Sequence, residues 1–118
     1  MLVEIAPQDD ILLDLKYASA DNIAGRPLYA KPLCLLHEKA ARALEAAAQA
    51  ARAQGLNVLV FDAYRPVEAQ WALWEACPDP IYVADPQKGS HHARGVAVDL
   101  TLIEASSGMA LDMGTGFD

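Results

Sequence analysis

The sequence lacks several features that would place it in a specialised class of protein. Its two cysteines, Cys34 and Cys77, do not have the C-x-x-C spacing of a redox or zinc module. No apolar run approaches the roughly 20 residues needed to span a bilayer. The start of the chain has no basic segment followed by an apolar core, which a secretory signal would need. We therefore expect a cytoplasmic protein with two reduced, buried cysteines and no membrane partner; a periplasmic location would require a signal peptide that had been removed.

Basic residues are also scarce. Nine Lys and Arg residues stand against 16 Asp and Glu residues, a formal net charge of −7. They form no basic cluster, so nucleic acid is not an expected partner. The length of 118 residues and a hydrophobic content of 53% suit a globular chain with one core. With no repeat and no linker, we expect a single domain over residues 1–118.

The hydrophobic pattern predicts short strands alternating with two helices. Strands are predicted where Ile11, Leu13 and Leu15 alternate, over 57–61, and over 96–103 with a hairpin return at 109–113. Helices are predicted over 33–54, with Leu36, Ala40, Leu44, Ala47 and Ala51 at helical spacing, and over 67–76, with Val67, Trp71 and Trp74 along one face. This order predicts an α+β fold in which a small, mainly antiparallel sheet packs against helices.

The segment 90–99, Ser-His-His-Ala-Arg-Gly-Val-Ala-Val-Asp, contains the main chemical signal. Asp99 lies within an apolar alternating segment, where an unpaired carboxylate would be costly to bury. Gly95 permits a tight backbone, so that His92 can fold back beside that carboxylate. One imidazole and one carboxylate are half of a catalytic zinc site, which has three protein ligands and one open position. The alternative is a core aspartate that is satisfied by Arg94 or by backbone amides.

The pattern Ser-x-His-x-x-Gly-x-Ala-x-Asp resembles, at every fixed position, the zinc motif of the D-alanyl-D-alanine dipeptidases and their D,D-carboxypeptidase relatives. Further segments resemble that family in the expected order. They are Asp14-Leu-Lys-Tyr-Ala18, Asp21-Asn22, Asp62-Ala-Tyr-Arg-Pro66, Gln70 with Trp74, Leu111-Asp-Met-Gly114 and Phe117-Asp118. The resemblance extends over essentially the whole chain and implies a hedgehog/D,D-peptidase-like fold.

The resemblance also implies roles for individual residues. His92 and Asp99 would be two of three ligands to one Zn²⁺. Arg65 would lie beside the scissile carbonyl, where a guanidinium offers fixed donors to an oxyanion. The alternative for Arg65 is an ion pair with Asp62, and both can hold at once, with Asp62 as a supporting residue that orients the arginine.

Three further residues are candidates for substrate binding. Ser90 would donate to the substrate carboxylate, or else its hydroxyl bonds its own loop. Asp118 matches a carboxylate that the resemblance places near the substrate ammonium group. Tyr17 begins a loop over 17–32 of the kind that often lines a cleft, although packing would also explain it. For His37, a surface or capping role is expected rather than metal ligation.

The implied reaction is hydrolysis of the free dipeptide D-Ala-D-Ala, in peptidoglycan turnover or glycopeptide resistance. The family completes its site in a segment resembling Glu-x-Trp-His, which supplies the acid/base and the third ligand. The sequence ends at Asp118 before such a segment, so we expect a C-terminally incomplete domain. Another chain could instead supply the segment. The functional alternatives are a D,D- or L,D-carboxypeptidase acting on peptidoglycan stem peptides and a catalytically inactive relative that binds metal or ligand.

Overall fold

Residues 1–29 and 31–112, which are those the computed structural model describes, form five short strands and two helices joined by turns. The strands are Leu2–Glu4 (β1), Ile11–Leu13 (β2), Leu35–His37 (β3), Leu56–Asp62 (β4) and Asp99–Glu104 (β5). The helices are Glu38–Arg52 (α1) and Val67–Ala76 (α2), and 3-10 turns span Lys16–Ala18 and His92–Arg94. No helix in this part of the chain is long and apolar enough to cross a membrane.

The central strand is β4, the apolar run that the sequence marks as buried. It pairs antiparallel with β5 on one side and parallel with β2 on the other, while β1 and β3 form a separate antiparallel pair. The α+β class is therefore confirmed, with one parallel pairing inside a mainly antiparallel arrangement. The connection from β2 to β4 contains β3 and α1, and a crossover of that length is what a parallel pair requires.

The first helix begins later than the sequence predicts. Residues 35–37 form β3, in which Leu36 pairs with Val3, and α1 begins at Glu38 instead of near residue 33. Apolar spacing could not separate the two states, because a short buried strand before a helix continues the same run of apolar residues. His37 is the N-cap, and its Nδ1 accepts a hydrogen bond from the backbone N–H of Lys39 at 3.3 Å. The expected capping role of His37 is confirmed.

The main core lies between α1 and the strands. Its fully buried side chains include Ile11, Leu36, Val58 and Val60, and each such side chain stabilises the fold by about 1.5–3 kcal/mol. Helix α1 buries Ala41, Leu44 and Ala48, and the two alanines let its backbone approach the strands closely. The apolar spacing predicts that Ala47 is buried on the same face as Leu44, but Ala47 is exposed and the next residue, Ala48, is buried instead.

The second helix has the predicted bounds but buries a different face. Val67 is 54% exposed and Trp71 is 39% exposed, whereas Ala69, Gln70 and Leu73 are buried. Hydrophobicity alone is misleading here because Gln70 is turned inward, where its amide bonds Arg65 and the Ala84 carbonyl. The cysteines are free thiols, as predicted; Cys34 is buried and Cys77 is only half-buried.

Strand β5 begins at Asp99 and not near residue 96. Asp99 therefore lies at the first residue of the strand, with a side chain that is 35% exposed, and is not a buried mid-strand carboxylate. The hairpin return is present at Ala110, which bridges to Ile103. Residues 113–118, including the end of that return and Asp118, lie outside the described residues.

Candidate metal centre

The site forms where β4 ends and β5 begins. Asp62, the last residue of β4, pairs across the sheet with Asp99, the first residue of β5. The register shifts between Val60 and Asp62, and a bulge of this kind re-aims side chains at the end of a strand. The 3-10 turn containing His92 lies beside this junction because the backbone N–H of Arg65 donates to the His92 carbonyl at 3.0 Å. Residues far apart in sequence thus meet at one end of the sheet.

The imidazole of His92 is oriented for metal ligation. Its Nδ1 lies 2.8 Å from the Ala63 carbonyl oxygen, which can only accept, so Nδ1 carries a proton and the neutral ring has its lone pair on Nε2. Nε2 lies 3.3 Å from Asp99 Oδ1. Two ligand atoms of a tetrahedral zinc ion, each about 2.0–2.2 Å from the metal, are roughly 3.4 Å apart. The His92–Asp99 pair therefore fits a metal ion.

The pKa of His92 reflects opposing influences. Burial is the largest and lowers the pKa, while the hydrogen bonds to Asp99 and to the Ala63 carbonyl raise it. The net direction is upward from the ordinary value. A metal ion would compete with the proton that His92 binds at Nε2, because an imidazole must be neutral to act as a ligand.

Gly95 holds the His92 turn against the rest of the fold. It adopts a left-handed φ of 73°, closes the turn onto the His92 carbonyl, and accepts a hydrogen bond from the His37 N–H at 2.8 Å. A Cβ at this position would lie 2.5 Å from Leu2 Cδ2 and 3.1 Å from the His37 nitrogen. The predicted need for glycine before the strand is therefore confirmed, and it has a steric as well as a conformational cause.

Arg65 is buried beside this pair and is held on several sides. Its Nε lies 2.9 Å and its Nη2 2.8 Å from Asp62 Oδ2, and Nη2 also lies 3.3 Å from Asp99 Oδ2. Nη1 donates to Gln70 Oε1 at 2.8 Å, and the Tyr17 ring centroid lies 5.0 Å from Cζ. The ion pair with Asp62 and the position beside the His92–Asp99 pair thus occur together. Arg94, the alternative partner of Asp99, is exposed and contacts His91 instead.

Asp62 contacts Arg65 and lies away from the Nε2 side of His92. Asp62, His92 and Asp99 form a cluster whose ligand atoms lie within 4.8 Å of one another in the described ranges. However, Asp62 Oδ2 faces Nδ1 of His92 at 3.8 Å, on the side opposite Nε2. Its Oδ1 accepts from the Tyr29 hydroxyl at 2.7 Å, and its Oδ2 accepts from Arg65. Burial raises the pKa of Asp62, whereas Arg65 and Tyr29 act in the opposite direction.

The remaining predicted site residues occupy different positions. Ser90 Oγ accepts from the His92 N–H at 3.2 Å, so its hydroxyl bonds its own loop and still has a proton to donate. Tyr17 is buried against Arg65 and makes an edge contact with the Tyr29 ring at 6.2 Å. The substrate-binding roles of Ser90 and Tyr17 stay predictions. Asp118 lies outside the described residues.

Two contributors, Tyr29 and Gln70, were not identified as site residues from the sequence. Tyr29 stands in the loop over 17–32 as an aromatic for which packing is the simpler explanation, and Gln70 lies inside a helix. Burial raises the pKa of the Tyr29 hydroxyl well above its usual range, which keeps it a donor to Asp62. No local pattern reveals either contact, because both depend on how separate segments meet around Arg65.

The described residues thus combine an α+β fold, a His–Asp pair whose atoms fit a metal ion, and a buried arginine beside that pair. The chain belongs to the peptidase M15 family, described as D-Ala-D-Ala dipeptidase, whose model matches residues 2–118. The predicted resemblance is confirmed.

Curated relatives support the same assignment. The D-alanyl-D-alanine dipeptidase of Escherichia coli K12 is 51% identical over 109 residues, which are 92% of this chain and 56% of that protein. The D-alanyl-D-alanine dipeptidase of Enterococcus faecium is 32% identical over an alignment of 125 positions, gaps included, that covers 89% of this chain and 62% of that protein. The chain thus spans little more than half the length of these relatives.

Proposed function

We propose that this chain is part of a zinc-dependent dipeptidase that hydrolyses D-Ala-D-Ala to D-alanine. The observation that supports this most directly is the arrangement of three groups. His92 Nε2 and Asp99 Oδ1 face each other at 3.3 Å, and Nη2 of the buried Arg65 lies 3.3 Å from the same carboxylate. The relatives bearing the dipeptidase name supply the substrate class.

The donor set favours zinc. An imidazole nitrogen with one carboxylate oxygen suits zinc, whereas magnesium and calcium prefer oxygen ligands alone. The contact between Nδ1 and the Ala63 carbonyl is the kind of second contact that fixes a zinc-binding histidine. Bound zinc would polarise the scissile carbonyl and lower the pKa of a coordinated water.

The roles of the chain's own residues follow from their positions. Arg65 presents fixed N–H donors to the oxygen that becomes negative, and its burial strengthens that interaction. Asp62 holds the guanidinium, and Tyr29 holds Asp62. Ser90 is proposed to donate its free hydroxyl proton to the substrate carboxylate, with Tyr17 lining the site and Asp118 binding the ammonium group. The cytoplasmic location stays a prediction.

We further infer that the acid/base and the third ligand belong to a segment resembling Glu-x-Trp-His, in the complete protein or in a second chain. The relatives support this inference, because 92% of this chain aligns with only 56% of the E. coli enzyme. A proton acceptor is needed because the attacking water must lose a proton and the leaving amine must gain one.

The test is hydrolysis by the zinc-loaded complete protein of three substrates: D-Ala-D-Ala, L-Ala-L-Ala and a stem pentapeptide ending in D-Ala-D-Ala. The proposal expects D-alanine release from the free D,D-dipeptide well above that from the other two. A faster reaction with the pentapeptide would make the protein a carboxypeptidase. Saturable binding of D-Ala-D-Ala without release would make it an inactive relative.

A further inference from the structure

Gln70 is a buried polar side chain whose amide is used at both ends. It is 2% exposed and is the fourth residue of α2. Its Oε1 accepts from Arg65 Nη1 at 2.8 Å, and its Nε2 donates to the Ala84 carbonyl at 2.7 Å. Reversing the amide would set a donor against a donor and an acceptor against an acceptor, so the side chain has one usable orientation.

The contact with Gln70 fixes the part of Arg65 that Asp62 does not. Asp62 accepts from the Nε and Nη2 edge of the guanidinium through a single oxygen, Oδ2. A group held at one oxygen can pivot about it. Gln70 holds Nη1, and the Tyr17 ring lies 5.0 Å from Cζ. Together these contacts keep Nη2 pointing towards Asp99.

Gln70 also joins the arginine to the segment that leads into the metal motif. Ala84 belongs to the connection between α2 and the His92 turn, and the adjacent Val83 is buried in a cluster with Tyr17 and Leu73. The same connection leads to Ser90, whose Oγ accepts from the His92 N–H. One amide thus links the guanidinium to the segment that carries the metal ligand.

We propose that Gln70 is a positioning residue for Arg65, setting the direction of the guanidinium relative to the His92–Asp99 pair. The role rests on the proposed dipeptidase function of this site, since Gln70 acts through the arginine and does not itself contact the metal pair. Loss of its amide leaves the charge of Arg65 in place but frees its Nη1 end.

The kinetic test is a double-mutant cycle in the complete, zinc-loaded protein. Gln70→Leu should lower kcat by roughly 10-fold or more with little change in KM or zinc content, since small misplacements of a positioned group lower rates strongly. In an Arg65→Ala background the same change should have no further effect on kcat, because the guanidinium that Gln70 orients is absent. Equal fold losses in both backgrounds would overturn the proposal.

Two variants serve as controls. Gln70→Glu keeps an acceptor for Nη1 but removes the donor to Ala84, so it should recover most of the rate lost in Gln70→Leu. Leu44→Ala destabilises the main core without touching the arginine, and it should leave kcat of the folded enzyme unchanged. A fall in kcat for Leu44→Ala as large as that for Gln70→Leu would show that general loosening is sufficient and would contradict the proposal.

A second readout does not depend on hydrolysis. In ¹⁵N spectra of the arginine side chains, the Arg65 Nη protons should be separately resolved and slow to exchange in the wild type and in Leu44→Ala. They should be averaged in Gln70→Leu. Absence of turnover in the wild type would defeat the proposed function while these spectra still decide the role of Gln70. Unchanged Arg65 signals in Gln70→Leu would overturn the positioning role alone.

Discussion

At the scale of single residues, Arg65 is where the interactions of the site meet. Its guanidinium contacts Asp62, Gln70 and Asp99, and its backbone N–H donates to the His92 carbonyl. Because the desolvation of a buried guanidinium is costly, such a residue persists only where its donors are satisfied. The arrangement keeps a permanent positive charge 3.3 Å from the Asp99 carboxylate.

We predict that Arg65→Ala lowers kcat of the complete enzyme by roughly 10²–10³-fold, the usual effect of removing an oxyanion donor. Zinc content should stay near that of the wild type, because His92 and Asp99 remain. The measurement is turnover of D-Ala-D-Ala alongside metal analysis, with Arg42→Ala on the exposed side of α1 as a control. Parallel losses of zinc and rate would instead assign Arg65 a structural role.

Cys34 shows how burial controls the chemistry of one thiol. It is 1% exposed, and burial, followed by the nearby charges of Asp62 and Glu4, raises its pKa to about 11. Since the thiolate is the reactive form, its fraction at pH 8 is about one in a thousand.

We predict that iodoacetamide at pH 8 labels Cys34 far more slowly in the folded protein than in urea. The folded-state rate should rise about tenfold with each pH unit above 8 and level off only as the pH approaches 11. Mass spectrometry of timed aliquots measures the labelling at each cysteine. Equally fast labelling of Cys34 in the folded and unfolded chains at pH 8 would refute its burial.

At the scale of elements, the His92 turn is held in place by Gly95. Its left-handed backbone and its contacts with Leu2 and His37 connect the metal motif to β1 and to the start of α1. The sequence predicts the glycine but not the segment against which it packs, because that requires the β1–β3 pairing.

Gly95→Ala should therefore reduce the free energy of unfolding by about 2–4 kcal/mol, from backbone strain and steric overlap together. Gly55→Ala is the matched control: its φ is 78°, but no atom lies within 4 Å of an added Cβ. That variant should cost only about 1 kcal/mol, the conformational part. Urea unfolding of both measures the difference. Equal destabilisation would show that the Gly95 contacts have no energetic role.

Element types were more predictable than element ends. Strand β4 and helix α2 follow from an apolar run and from Pro66 at a helix start. The predicted start of α1 is five residues too early and that of β5 three residues too early. Strand pairing determines both starts, and the spacing of apolar residues along the sequence contains no information on pairing. The half-exposed position of Asp99 follows from that later start.

At the scale of the whole molecule, the fold brings distant residues to one end of a small sheet. The resemblance of short segments to a dipeptidase family indicated His92, Asp99, Arg65 and Asp62 from the sequence. It included Gln70 without assigning it a role and gave no role to Tyr29, because their contacts depend on the inward face of α2 and on the loop over 17–32. The parts of the site with a fixed motif were therefore predictable, and those created by packing were not.

The central claim is that a metal ion binds between His92 and Asp99, beside Arg65. The most direct test is an anomalous-difference map of zinc-loaded crystals of the complete protein, recorded at the zinc edge. The account predicts one strong peak about 2.0–2.2 Å from both His92 Nε2 and an Asp99 oxygen, with no bond to Asp62. His92→Ala and Asp99→Ala should each remove it, and His91→Ala should not. A peak bonded to Asp62, or one that persists in either ligand variant, would contradict the account.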